Sequence, residues 1–243
     1  MTLGIIVQAR CGSTRLPSKV LLKLGDKTIL EHTIKQIKKL KFNKKIIIAT
    51  TTKSQDKKIV NIAKKNKCNY FCGSEKNVLN RYYEAAKKFK LKTIIRICSD
   101  SPFIDPSIIK RAFKIYQKKK YDYVSNIIYP TYPAGMSVEI FNFTCLKKTN
   151  ESKTDFIERE HVTPFIYRNP KIFRIKNFFT IKNISKYRFS VDYWEDYLAC
   201  IEIHKVITKI GFTKISVSTL TKIVDKNPFI KEINKKVESV LRY

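Results

Sequence analysis

The chain has 243 residues, and its 43% hydrophobic content is enough to bury a sizeable core and too much for wholesale disorder. No apolar run reaches membrane-spanning length, and Leu3–Val7 is too short to be the apolar part of a leader, which points to a cytoplasmic protein with no membrane partner. Fifty Lys and Arg against twenty Asp and Glu give a formal charge of +30, which suits either a polyanionic partner or a lysine-coated surface.

The lysine runs "KKLKFNKK", "KKNK" and "KKKYD" fall at expected helix ends and connections, where cations complement the macrodipole. Few interleave with aromatics as base stacking requires, so no specific nucleic-acid partner is expected. The six cysteines, at 11, 68, 72, 98, 145 and 200, form no C-x-x-C pair. They read as free thiols in a reducing compartment.

In chain order, β-rich runs recur at Leu3–Ala9, Lys45–Thr50, Asn69–Cys72, Thr93–Cys98, Tyr121–Asn126 and Val138–Phe143. Helical patterns lie between most of them. Thr28 and Glu31 form a capping box before "HTIKQIKKL", where Ile34, Ile37 and Leu40 mark one face. Gln55–Lys65 carries Ile59, Ile62 and Ala63, and Asn77–Phe89 carries Val78, Tyr82, Ala85 and Ala86. A fourth helix follows Pro106, a good first helical residue. This alternation predicts an α/β fold with a mostly parallel, Rossmann-like sheet and helices on both faces. After Asn126 the rhythm changes. "IIYPTYPAGM" reads as a proline-bearing loop and "REHVTPFIYRNP" as a short helix carrying His161. "RFSVDYWEDYLACIEIHKVI" reads as a strand, a turn at Asp192 and a helix. We expect a single domain over 1–243, with an inserted subregion at 127–186.

The first loop, "QARCGSTRLPSK", follows the first strand and so belongs at the carboxyl edge of the sheet, where such folds bind ligands. Gly12 permits close backbone approach, Ser13 and Thr14 add donors, and Arg10, Arg15 and Lys19 add charge suited to a polyphosphate. The spacing is neither G-x-x-x-x-G-K-[ST] nor G-x-G-x-x-G. An ordinary strand–loop–helix turn with solvated cations is the alternative.

The stretch "QARCGSTRLPSKVLLKLGDKTILEH" resembles the signature of the cytidylyltransferases that make CMP-activated sugars. It is most similar to the branch of spore coat polysaccharide biosynthesis protein F. The resemblance continues, in order, through "IIIATTT", "GSEKNVLNRYYEAAKKF", "IIRICSDSPFIDP", "DYVSN", "YPAGMSVEIF", "REHVTPFIYRNP" and "FSVDYWEDY", covering roughly residues 3–200. It implies a nucleotide-diphospho-sugar transferase-like fold, CTP as donor, a small acidic sugar or related acceptor, Mg2+ and a homodimer formed through 127–186. A phosphonate or other non-sugar acceptor is the rival within the same chemistry.

By the same resemblance, Arg10, Arg15 and Lys19 would hold the β- and γ-phosphates, with Arg10 and Lys19 acting in catalysis. Asp100 in "RICSDSP" and Asp192 in "FSVDY" would be the catalytic metal ligands. This makes chemical sense, because nucleotidyl transfer needs charge neutralisation at the leaving pyrophosphate, and Mg2+ favours one or two carboxylates plus phosphates. Gln8, Ala9, Thr51, Thr52, Gly73 and Ser74 would border the base and ribose. Arg81 and Arg96 either contact nucleotide or pair internally, Arg96 being the candidate contact. Asn126, Tyr132, Gly135, Glu139 and His161 would line the acceptor side, while His161 could equally be structural. The chain departs from the family pattern at Ser137, where many members carry aspartate, and at Ser99, where glycine is usual. The first bears on the acceptor and the second on the phosphate approach.

Overall fold

The structure is a computed structural model that describes residues 2–211 and 215–237. Strand β1 (Leu3–Gln8) leads into the long first loop. A two-residue hairpin, β2 (Lys23–Leu24) and β3 (Lys27–Thr28), precedes α1 (Ile29–Lys38). Then follow β4 (Lys45–Thr51), α2 (Lys57–Lys65), β5 (Asn69–Gly73), α3 (Val78–Lys88), β6 (Thr93–Cys98), α4 (Pro106–Tyr116) and β7 (Tyr123–Ser125). After the change of rhythm come β8 (Glu139–Asn142), α5 (Phe143–Glu151), α6 (Phe156–His161), α7 (Pro164–Arg168) and β9 (Ile175–Asn177). Helices α8 (Trp194–Ile210), α9 (Val217–Lys226) and α10 (Pro228–Ile233) close the described chain.

Seven strands form one sheet in the order β5-β4-β1-β6-β8-β7-β9. β5, β4, β1 and β6 are parallel neighbours, and β8 alone runs antiparallel, between β6 and β7. This is the expected mostly parallel α/β sheet. The apolar run of β1 is buried on both faces, as a central strand between helical layers requires. Alternate side chains feed two cores. Ile5, Val7, Ile48 and Ile95 pack with residues of α1, α2, α4, α8 and α9. Ile6, Ile47, Ala49 and Ile94 pack with residues of α3, α5 and α7.

Helix starts follow local chemistry. The Thr28–Glu31 capping box is present, with the Thr28 N–H donating to Glu31 Oε2 at 2.8 Å. The Asn77 side chain accepts the Asn80 N–H at the start of α3. Asp105 caps α4, with Pro106 at its first position, and its other oxygen accepts the N–H of Val217, the first residue of α9, at 2.9 Å. Two expectations are corrected. "RFSVDY" is extended but is not a strand: Arg188 makes only an isolated bridge to Ala134, and Asp196 takes the N–H groups of Asp192 and Tyr193. "REHVTPFIYRNP" is two helices, because Val162 at φ 74° breaks the chain between His161 and Pro164. No helix among the described residues is long and apolar enough to cross a membrane.

Candidate active site

The carboxyl ends of β1 and β6, the first loop and the turn before α8 converge on two adjoining clefts. One, of about 330 Å3, includes Gln8, Ala9, Arg10, Ser13, Thr14, Arg15 and Lys19. The other, of about 300 Å3, includes Asn126, Tyr132, Gly135, Ser137, Arg188 and Asp192. Arg15, Cys98, Asp100 and His161 line both.

Lys19 and the two aspartates sit where the clefts meet. Lys19 Nζ donates to Asp100 Oδ2 at 2.8 Å and to Asp192 Oδ1 at 2.9 Å. Burial pulls the Lys19 pKa down, but the two carboxylates outweigh it and hold the ammonium above its ordinary range. Asp192 also accepts from Arg15 at 2.9 Å and from Arg188 at 3.1 Å. Its backbone is fixed by Asp196, which is wholly buried and also takes Arg188 Nε at 2.6 Å. Although "FSVDY" is no strand, the Val191 N–H donates to the Asp100 carbonyl at 2.9 Å, so the two aspartates are neighbours after all.

The first loop is held from below by Asp56, which is 1% exposed. Its Oδ1 accepts the Cys11 N–H at 2.8 Å and its other oxygen accepts the Thr51 hydroxyl. Burial would raise the Asp56 pKa, yet these donors keep it lowered. Desolvation and the Asp56 hydrogen bond push the Cys11 thiol up to about 11, so it is a packed thiol and not a nucleophile. Arg10 donates to Glu160 Oε1 at 2.8 Å and to the Glu75 carbonyl at 3.4 Å. The Glu75 carboxylate fills the space a side chain at Gly12 would need, 2.9 Å from an ideal Cβ.

Several candidate residues are placed differently from expectation. Thr51 is buried with its hydroxyl on Asp56, and Thr52 is exposed; neither lines the cleft that holds Arg10 and Lys19. Gly73 and Ser74 also lie outside that lining, and the Ser74 carbonyl accepts from Arg81. Arg96 pairs with Glu139 and donates to Gln8 Oε1 at 3.2 Å. Glu139, 1% exposed, also accepts from the Tyr123 hydroxyl at 2.7 Å and from Thr163. These bonds are internal, while Glu139 also lines the second cleft together with Arg96, Tyr132 and His161. The side chain of Asn126 closes its own loop, donating to the Met136 carbonyl and accepting from the Val138 N–H, both at 2.8 Å. The Tyr132 hydroxyl accepts from Arg111 at 2.8 Å. Gly135 lines the second cleft at φ 90°, where an added Cβ would lie 2.6 Å from the Phe189 backbone. Asp56, Glu160, Arg188 and Asp196 were not singled out from the sequence. Each is an acid or a base within a quoted motif or at a helix start, and nothing local separates such residues from surface charges.

The residues fit a divalent cation. Two carboxylates from different elements share one cationic group, the Lys19 ammonium, as they would share a metal ion that takes its remaining ligands from phosphate and water. Among the described residues there is no cluster of three or more acidic, His or Cys groups that could hold a metal ion.

The family model for cytidylyltransferases matches residues 4–233. The uncharacterized protein MJ1063 of Methanocaldococcus jannaschii is 38% identical over 236 residues, covering 96% of this chain and 94% of that protein. The spore coat polysaccharide biosynthesis protein SpsF of Bacillus subtilis is 31% identical over 235 residues, covering 92% and 94%. A solved cytidylyltransferase from Leptospira borgpetersenii superposes with a TM-score of 0.89 at 32% identity, over 99% of each chain. The chain belongs to the cytidylyltransferase family and is a CTP-dependent nucleotidyltransferase.

Proposed function

We propose that the protein transfers CMP from CTP to a hydroxyl of a small acidic sugar or related acceptor, releasing pyrophosphate, for cytoplasmic synthesis of a surface polysaccharide or glycan precursor. The observation that carries this reading is the junction itself: a cation-lined cleft and a hydroxyl-rich cleft meet at Lys19, Asp100 and Asp192. The likeness to a protein named for spore coat polysaccharide biosynthesis supports the glycan setting.

Arg10, Ser13, Thr14, Arg15 and Lys19 would orient the triphosphate, and the cations would take negative charge from the departing pyrophosphate. Arg10, Arg15 and Lys19 are already paired with carboxylates, so phosphate binding exchanges one anion for another. Asp100 and Asp192 are the residues that would hold Mg2+, which when bound neutralises charge on phosphate oxygens. The acceptor hydroxyl attacks the α-phosphorus as the bond to pyrophosphate breaks. His161, which lines both clefts, would take its proton. Arg15 and Arg188 in the acceptor wall suit an acidic acceptor. A homodimer through 127–186 is supported by the exposure of Tyr129, Phe179 and Ile181 in that segment.

The test is a melting panel with CTP, UTP, GTP and ATP plus Mg2+, followed by an acceptor screen read by pyrophosphate release. CTP should give the largest upward shift by mass action. A larger shift with another nucleotide, or no release with any acidic sugar, would overturn the assignment.

A further inference from the structure

Of the five non-glycine residues with positive φ among the described residues, Val162 is the one that is β-branched. It sits at φ 74° and ψ −48°, and the Thr163 N–H donates back to the His161 carbonyl at 2.9 Å. This is close to the three-residue γ-turn of positive φ, which is rare and strained, and branching at Cβ adds to the strain. The three lysines with positive φ instead follow the ends of α2, α3 and α4, the usual place for such a backbone. Pro164, the first residue of α7, would by itself part that helix from α6, because it disfavours helix at Thr163. The strain at Val162 therefore serves more than the break.

Such strain persists only where the surroundings over-determine it. Two anchors do so here. The Val162 side chain is wholly buried and belongs to the same core as Ile166 and Phe173. Thr163, 1% exposed, donates its hydroxyl to Glu139, which is itself held by Arg96 and the Tyr123 hydroxyl. The two short helices are also tied together, since Arg168 of α7 lies 3.6 Å from Asp155 and 3.7 Å from Glu158 of the α6 capping box. Immediately before the turn stands His161, lining both clefts. Rotation about φ of Val162 swings the His161 backbone relative to that of Thr163, so this turn sets where the imidazole stands.

We propose that Thr163 and Glu139 are positioning residues for His161: their bond pins the strained turn at Val162, and the turn holds the imidazole where the two clefts meet. This rests on the reading of His161 as the group that takes the acceptor's proton. A base must lie within hydrogen-bond reach of that proton, and small displacements of a reacting group are costly to rate. The buried Thr163 hydroxyl acts through the turn and not on the substrate.

The test uses the small number of histidines, which are His32, His161 and His204. The ring signals of histidine-labelled protein are recorded by NMR and assigned with His161→Gln, then followed in Thr163→Val, Thr163→Ser and Val162→Ala. In wild type the His161 signal should be distinct from that of an exposed histidine and should move on adding CTP with Mg2+. Thr163→Val should carry it towards the exposed position while the His32 and His204 signals stay in place, which loss of the fold would not do. Thr163→Ser keeps the hydroxyl and should restore it. Val162→Ala keeps the cost of positive φ but drops the other anchor, and should act like Thr163→Val; it decides the matter if Thr163→Val does not fold. Pyrophosphate release, with the acceptor that wild type uses best, should fall about tenfold to a hundredfold in kcat for Thr163→Val, with KM for CTP within about twofold. An unmoved His161 signal in Thr163→Val or Val162→Ala would overturn the proposal, as would equal losses in Thr163→Val and Thr163→Ser. Normal turnover in His161→Gln would instead strike the proton-acceptor reading on which the proposal stands.

Discussion

The Lys19 ammonium lies 2.9 Å from a carboxylate oxygen of Asp192, a residue 173 positions later in the chain. The same ammonium is 2.8 Å from Asp100, so one lysine from the first loop joins both candidate metal ligands. Asp100→Asn and Asp192→Asn should each cost about 1–3 kcal/mol of stability, the scale of a lost charge-assisted bond, because Lys19 keeps the other carboxylate. Turnover should fall roughly a hundredfold or more, as when one preorganised electrostatic group is removed. Urea melts and pyrophosphate release on the same preparations separate the two effects. Normal turnover in both variants at saturating Mg2+ would show that the aspartates serve only the fold.

Asp56 should matter to nucleotide binding without touching nucleotide. It takes the Cys11 N–H and the Thr51 hydroxyl beneath the loop that carries Arg15 and Lys19. Asp56→Ala leaves both donors buried without an acceptor, at about 1–3 kcal/mol each. We expect a clear loss of thermal stability and a raised KM for CTP, with Asp56→Asn intermediate in both. A normal KM in Asp56→Ala would show that the loop holds its shape unaided.

Stability should fall on mild acidification through His32. Burial lowers the pKa of His32, whose Nε2 lies 2.8 Å from the Leu24 carbonyl, and His204 packs edge-on at 5.1 Å with its own pKa lowered by burial. A histidine with a depressed folded pKa binds fewer protons folded than unfolded. Stability is therefore intact above the unfolded value of about 6.5 and declines as pH falls below it. Melting temperature should drop between about pH 7 and pH 5, and His32→Gln, which can still donate to Leu24, should flatten that drop. Parallel curves for wild type and variant would remove His32 as a source.

Ser137 lines the acceptor-side cleft but not its neighbour. Ser137→Asp should change which acceptors are used and leave CTP affinity within about twofold, since an added carboxylate acts at short range on what shares its cleft. A pyrophosphate-release screen of both proteins decides it. Identical acceptor profiles would place Ser137 outside the acceptor's reach.

Six of the seven strands were legible as short apolar, β-rich runs such as "KIIIATT", while β9, three residues long, was not; the helix starts were legible because caps are local: Thr28 with Glu31, Asn77, and Asp105 before Pro106. What escaped depends on side chains far apart in sequence. The pairing of Arg96 with Glu139 could not be seen until β6 and β8 were adjacent, with the two in register. Thr51 reads as a free hydroxyl at a strand end until Asp56 is seen beneath it. "RFSVDY" has strand composition, but Asp196 takes the backbone donors that a strand would have offered to a neighbour. The hairpin of β2 and β3 is two residues a side, too short for any periodicity to show.

The most direct measurement is a crystal structure with CTP and Mn2+, the ion located by its anomalous signal. We predict one Mn2+ bound by both Asp100 and Asp192, with Lys19 moved from the carboxylates onto the triphosphate. A signal elsewhere, with Lys19 still bridging the two aspartates beside bound CTP, would contradict the account.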